Sequence, residues 1–307
     1  MKIRQIRTFT VVYEQGSFSR AASHANATQS GLSMHIHNLE LELGVKLFER
    51  NSKGVAPTAA GERFYRRSND ILRRLQILEN EARQSGQQIS GRITAGLLPA
   101  FTQSILAKTL VDFNEKHPDV EVAIQEGFSP VLSDAIMRED IDFAVVPIDK
   151  PHQCMRYEHF ATDREVLVSN INSELEHLQP VTPAELPHLN LVLPTKGNAR
   201  RDHLDHIFSI YGHRTGSILE MDSVGATLEL VAYSDWMTIL PGVICARDLI
   251  PRNRKLHPIA SSRIEVDYMF VAKQTAVTPM GASLFLDALK AQYEHTTMLW
   301  KESYSGF

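Results

Sequence analysis

The 307-residue sequence predicts an α/β protein in two parts. An N-terminal winged helix-turn-helix runs into a long helix, and a larger region of alternating strands and helices follows. Three observations predict this. Near the start, apolar residues recur at helical steps in short blocks. Beyond residue 91, short apolar runs alternate with helix-length segments to the end. Charge is shared unevenly: residues 1–90 hold 13 Lys/Arg and 8 Asp/Glu, net +5, and the rest hold 19 and 28, net −9. A basic front and an acidic back suggest that only the front meets a polyanion.

Ile3, Ile6, Phe9 and Val12 mark the first helix. Ser17 can cap a second short helix carrying Ala21, Ala22 and Ala25, small enough for close packing. After a break at Asn26 and Ala27, Thr28 can cap a third, with Leu32, Ile36, Leu39 and Leu43 on one stripe. Its other side carries Ser30, Ser33, Met34 and His37 and lacks the Glu and Lys that usually solvate an exposed helix. Gly31 removes a side chain there, at a helix cost of about 1 kcal/mol. Gly54 and Pro57 make residues 50–58 turn-rich, and Arg50 and Lys53 make them basic, which suits a wing. Residues 59 to about 85 lack proline, and Phe64, Ile71, Leu75, Leu78 and Ala82 fit a heptad stripe with a gap at Ser68. A polar stretch bounded by glycine, residues 84–91, reads as a hinge.

In the back half, strands are expected at RITAGLL, VEVAIQEG and IDFAVVPI, with helices at about Gln103–Lys116 and Ser129–Arg138. The pattern restarts at Glu165 with EVLVSN and LNLVLP. A helix over Ala199–Tyr211, a strand at Ile218–Asp222, a helix over Val224–Tyr233 and MTILPG follow, and VDYMFVA precedes a last helix over Thr278–Gln292. Such repetition argues for parallel strands with crossover helices, and about 200 residues suit two cores better than one.

The first 65 or so residues resemble LysR-type transcriptional regulators. GSFSRAA (Gly16–Ala22), Gln29, Leu32, Ser33, Ile36, Leu39–Glu40, Leu43–Gly44, LFER (Leu47–Arg50), Thr58 and Gly61 stand in one register. The resemblance continues more loosely to about residue 290. It implies a winged helix-turn-helix over 1–58, a dimerising linker helix and hinge over 59–89, and a two-lobed, periplasmic-binding-protein-like effector domain over 90–307. Lobe I would take about 90–161 and 268–307, and lobe II about 162–267. Double-stranded promoter DNA, a small-molecule effector and homodimers assembling to a homotetramer are the implied partners, with RNA polymerase added for an activator. No cofactor and no membrane are expected, and the setting is cytoplasmic.

By the same resemblance, Thr28, Gln29 and Ser30 begin the recognition helix, and Ser33 matches a backbone contact. Arg50 matches a phosphate contact in the wing, and Lys53 a basic residue near the minor groove. Gln can read adenine bidentately, and Lys and Arg neutralise phosphates. Met34 departs from the family's polar residue, although it could touch a thymine methyl. His35 and His37 either supply phosphate contacts or are simply exposed. Effectors in such domains, small and often carboxylate-bearing, bind between the lobes and close them. The corresponding turns hold Pro99, Ala100, Phe101 and Thr102, then Phe128 and Ser129, then Thr195, Asn198 and Ser223. Ala100 departs from a frequent hydroxyl residue. Trp236 could stack on a ligand or fill the core. Arg200 and Arg201 could hold a carboxylate or lie on a solvated helix face.

Enzyme motifs are missing: there is no G-x-S-x-G, no H-E-x-x-H and no P-loop. His203 and His206, with Asp202 and Asp205, could bind a metal, but surface solvation is the expected role. Cys154 and Cys245 lie in no reactive motif and suit a reducing compartment. MKIRQIR has no apolar export core, and no run of 18 apolar residues occurs. A two-lobed binding protein or enzyme with an accessory helical domain, and a thiol redox sensor, are the rival readings.

Overall fold

The structure, a computed structural model of the chain, describes residues 1–25, 27–51, 54–65, 67–68, 71–72, 75, 89–147, 151–211, 216–261 and 264–304. Contacts divide it into two units, Met1–Gln87 and Gln88–Phe307.

The first unit holds helices α1 (Ile3–Gln15), α2 (Phe18–His24) and α3 (Gln29–Leu43), an antiparallel hairpin of β1 (Phe48–Asn51) and β2 (Gly54–Pro57), and the start of α4, residues 59–65. Local chemistry sets the boundaries. Gly16 closes α1 at φ 57°, a conformation costly for other residues. Ser17 caps α2 by accepting from the Arg20 amide. Thr28 caps α3 by accepting from the Gly31 amide at 3.2 Å. A Cβ on Gly31 would lie 3.0 Å from that same hydroxyl, so the glycine serves the cap.

Phe9, Val12, Ala21, Leu32, Ile36, Leu39 and Leu47 form the core of this unit. Leu43 does not complete the stripe expected on α3. It is 37% exposed, because Gly44 ends the helix at φ 70°. Glu40 takes a buried place instead, accepting from the amides of Leu47 (2.9 Å) and Phe48 (3.2 Å) and from Lys46. Burial raises this carboxyl, but those bonds outweigh it and hold it below the usual range.

Gly61 lets α4 lie on the backbone of Leu47, where a Cβ would come within 2.1 Å of the carbonyl oxygen. Phe64 meets Phe9 edge-on at 4.9 Å and Tyr65 stacks on Tyr13 at 3.8 Å, so the first turns of α4 serve this unit's own core. Ile71 is 45% exposed. Leu78, Ala82 and residues 84–88 of the expected hinge lie outside the described residues, and Gly91, expected to end the hinge, opens a strand.

The second unit has strands β3 (Gly91–Leu97), β4 (Val120–Glu126), β5 (Phe143–Pro147), β6 (Met155–Asn170), β7 (Leu191–Leu193), β8 (Ile218–Glu220), β9 (Met237–Pro241), β10 (Arg254–Pro258) and β11 (Glu265–Lys273). Its helices are α5 (Pro99–Thr102), α6 (Leu106–Lys116), α7 (Ser129–Met137), α8 (Ala199–Tyr211), α9 (Val224–Ala232), α10 (Gly242–Cys245) and α11 (Met280–Ser303). The strands run β4-β3-β5-β11-β6-β9-β7-β8, with β10 beside β6.

The expected parallel arrangement holds only in part. β3 is parallel to β4 and β5, and β7 to β8 and β9, but β11 is antiparallel to β5 and β6. β6 is the seam between two lobes. Through Arg164 it pairs with β11, and from Glu165 it pairs with β9 and β10. Phe101, Phe113, Phe143 and Phe285 anchor the first core, and Leu191, Leu204, Ile207 and Ile239 the second.

The last helix runs eleven residues past the expected end at Gln292. Leu289, Tyr293, Thr296 and Trp300 continue one buried stripe. Trp300, 1% exposed, packs with Val166, Leu240 and Leu256 of the second lobe and donates Nε1–H to the Gly242 carbonyl at 2.7 Å.

Candidate functional site

The polar face of α3 is one of two candidate surfaces. Thr28, Gln29, Ser30, Met34 and His37 are exposed, and Ser33 is half-buried. Met34 is 57% exposed, more than its apolar side chain alone would favour. Ser19 donates to Gln29 Oε1 at 3.1 Å, steadying the amide from α2. His35 differs from the phosphate contact considered for it. It is half-buried against α1, with Nδ1 3.1 Å from the Thr8 hydroxyl. Arg50 lies on β1 opposite Val55, whose amide bonds the Gly16 carbonyl and ties the wing to the α1–α2 turn. Lys53 lies outside the described residues.

The second surface is a cleft of about 520 Å³ between the lobes of the second unit. Its size suits a small molecule. Strand-to-helix turns bring Pro99, Ala100, Phe128, Ser129 and Asn198 to it. The other five residues named from the sequence do not line it. Phe101 is fully buried, with its ring against Phe160 and Tyr268, because α5 turns it into the first core. Thr102 bonds Glu126 and the Pro99 carbonyl. Ser223 caps α9 by accepting from the Ala226 amide at 3.3 Å. Thr195 donates its amide and hydroxyl to Asp222 at 3.0 and 2.8 Å, and so supports a lining residue. Trp236 is half-buried and belongs to neither the cleft nor a core cluster.

The arginines of α8 correct the solvated-face expectation. Arg200 lines the cleft and forks onto Glu165, Nε at 2.6 Å and Nη2 at 2.9 Å, and the Glu165 side chain is 0% exposed. Arg201 is buried against Asp205, Glu220 and the Pro194 carbonyl. Asp202, exposed as expected, and the half-buried His203 both line the cleft, as do Asp222, Glu265, Asp267 and Tyr268. Nothing local in the sequence marks these residues as neighbours, since they come from α8, the loop after β8 and the start of β11.

Behind the cleft, Asp163 is 3% exposed and accepts from the Val243 and Arg164 amides. Burial pushes it up to about 7, against those hydrogen bonds. Cys245 is buried and its thiol pushed well up, which makes it a poor nucleophile, while Cys154 is exposed. Among the described residues no group of three or more His, Cys, Asp or Glu could hold a metal ion, and no helix is long and apolar enough to cross a membrane.

Known proteins share this arrangement. Residues 3–62 match the model of the bacterial regulatory helix-turn-helix protein, lysR family, and residues 86–294 that of the LysR substrate binding domain. The HTH-type transcriptional regulator BbuR of Bordetella bronchiseptica is 27% identical over 287 residues, covering 94% of this chain and 88% of that protein. The nitrogen assimilation regulatory protein nac of Escherichia coli is 25% identical over 242 residues, 78% of each chain. In fold, the oxidized form of Corynebacterium glutamicum OxyR matches with TM-score 0.68 at 19% identity, covering 99% of this chain and 95% of that one. Full-length CbnR in complex with its target DNA matches with TM-score 0.54 at 19% identity, covering 95% and 99%. With both of its units matched in order, the chain belongs to the LysR family of DNA-binding transcriptional regulators and carries that family's effector-binding domain.

Proposed function

We propose that the chain binds a double-stranded promoter site through Gln29, Ser30 and Ser33 of α3, with Arg50 and Lys53 of the wing on flanking phosphates. The observation that carries this reading is the exposed run of short polar side chains on α3. No long charged side chain stands between that face and a duplex, so base edges can approach. Dimers paired into a homotetramer would present several such helices to a site with two half-sites. The exposed Ile71 on the predicted linker stripe supports pairing there. RNA polymerase joins as a partner if the outcome is activation, and the setting is the cytoplasm.

In this reading a small carboxylate-bearing metabolite occupies the cleft. The support is α7, whose first turn reaches the cleft at Ser129 and Pro130 and has no side-chain cap. Pro130 has no N–H, so the Ser129 amide is the open donor at the cleft, and with the positive end of the helix dipole it favours an anion. Control requires unequal affinity of that metabolite for two arrangements of the lobes.

Selection of bound duplexes from a random DNA library at two salt concentrations tests the first half. Enrichment of an inverted repeat that weakens as salt rises supports it. No enrichment over random duplex removes the role given to the α3 face.

A further inference from the structure

The two sides of the cleft carry different chemistry. Lobe I offers Leu98, Pro99, Ala100, Phe128, Ser129 and Pro130, none of them ionisable. Every charged lining residue comes from lobe II or from β11. Arg200 is the one Lys or Arg in the lining, and Glu165 already neutralises it through two bonds. A purely anionic ligand therefore meets no uncompensated side-chain cation among the described lining residues.

Carboxylates outnumber that neutralised pair. Glu265 lies 3.4 Å from Arg164, and Asp267 lies 3.4 Å from His159. Asp202 and Asp222 have no ion pair among the described residues. Asp222 is held in place by the amide and hydroxyl of Thr195, which orient it without cancelling its charge. Beside Asp202, His203 carries a ring nitrogen, Nε2, that is shielded from solvent and lacks a hydrogen-bond partner. The lobe II wall thus presents carboxylates without a cation to cancel them, while lobe I offers the Ser129 amide at the start of α7.

We propose that the cleft ligand is a small zwitterion of the amino-acid type, its carboxylate on the first turn of α7 and its ammonium between Asp202 and Asp222. This rests on the carboxylate reading given above and adds the ammonium to it. An ammonium offers three donors and one compact charge, which two carboxylates can share. The apolar residues between, Leu98, Val192, Leu193 and Leu240, accommodate an aliphatic or aromatic side chain.

Calorimetric titration of the full chain tests this with named probes: the standard L-amino acids and the unbranched ω-amino acids from three to six carbons. Each binder is compared with its deaminated acid and its decarboxylated amine. The expected result is that at least one zwitterion binds and that losing either charged group weakens binding about tenfold or more. Asp202→Asn, at an exposed position, and Asp222→Asn, which keeps an oxygen for Thr195, should each erase the preference over the deaminated acid. A deaminated acid that binds as well as its parent overturns the ammonium and leaves the carboxylate reading standing. A decarboxylated amine that binds as well as its parent overturns the carboxylate reading and the zwitterion with it. No binding by any zwitterion at millimolar concentration overturns the proposal.

Discussion

The face of α3 and the lobe II wall of the cleft are both polar, yet their polar groups are committed very differently. On α3, Gln29 takes one bond from Ser19, Ser30 leans on Thr28 at 3.4 Å, and Met34 and His37 stand in solvent. In the cleft, Arg200 forks onto Glu165, Asp222 is fixed by Thr195, and Arg201 braces the wall from behind. A surface for a long duplex can leave side chains free to settle on the sequence they meet. A pocket for a small molecule has few contacts to offer, so each must be set in advance.

The sharpest way to break this contrast is Arg200→Ala. It strands the fully buried Glu165 carboxylate, and a loss of about 3–5 kcal/mol is expected in urea unfolding. The double change Arg200→Met with Glu165→Leu should recover most of it, because an apolar pair of similar volume replaces a buried ion pair at little cost. A single variant as stable as the native chain would mean the fork contributes nothing.

Next comes pH. Asp163 is raised to about 7 in the folded chain against 3.8 unfolded, so its contribution is fully present below about 4 and is lost as pH rises through 7. His257 works the other way. It is buried between Ser169 and the Glu176 carbonyl and lowered to about 4 from 6.5, so its contribution is present above 6.5 and lost as pH falls through 4. Melting temperature is measured from pH 4 to 8 for the native chain and Asp163→Asn. The variant should gain relative to the native chain as pH rises from 4 to 7. A constant difference would show that Asp163 does not titrate there.

On the DNA side the effects are smaller and differ in kind. Gln29→Ala should cost about 1–3 kcal/mol at one base pair and relax discrimination there. Unchanged base preference would take Gln29 off the base edges. Arg50→Ala should weaken all sequences alike and lower the salt slope by about one. A sequence-dependent loss would contradict a phosphate role. Smallest is Met34→Ala. Its melting temperature should hardly move, since exposed substitutions stay within about 0.5 kcal/mol, and only sites with thymine at one step should bind less well.

What the sequence revealed and what it hid follow the reach of the interactions. Ser17 and Thr28 announce their helices because a cap acts within three residues. Pro99, Phe128, Ser129 and Asn198 were legible as cleft residues because a strand-to-helix turn is a local event. Arg200 and Glu165 are 35 positions apart, and nothing in either neighbourhood names the other. Phe101 sits one residue from the cleft lining but on the wrong side of α5, and that depends on how the short helix turns. β10 escaped notice because Arg254, Lys255 and Pro258 read as loop, although β6 pairs antiparallel with this segment over five positions. Nothing around Glu40 in the sequence marks its burial, because the amides it accepts from lie seven and eight residues on and are turned toward it by the fold.

Trp300 gives the effector domain a third point of attachment. Two lobes joined only by crossing strands can gape like a hinge. Here α11 lies on the first core through Phe285 and Leu289 and is pinned to the second through its indole. A rod of 24 residues, about 36 Å long, braces the joint. With that brace in place, filling the cleft is expected to turn one lobe against the other rather than to change the width of the domain. The signal leaving the pocket would then be a torque.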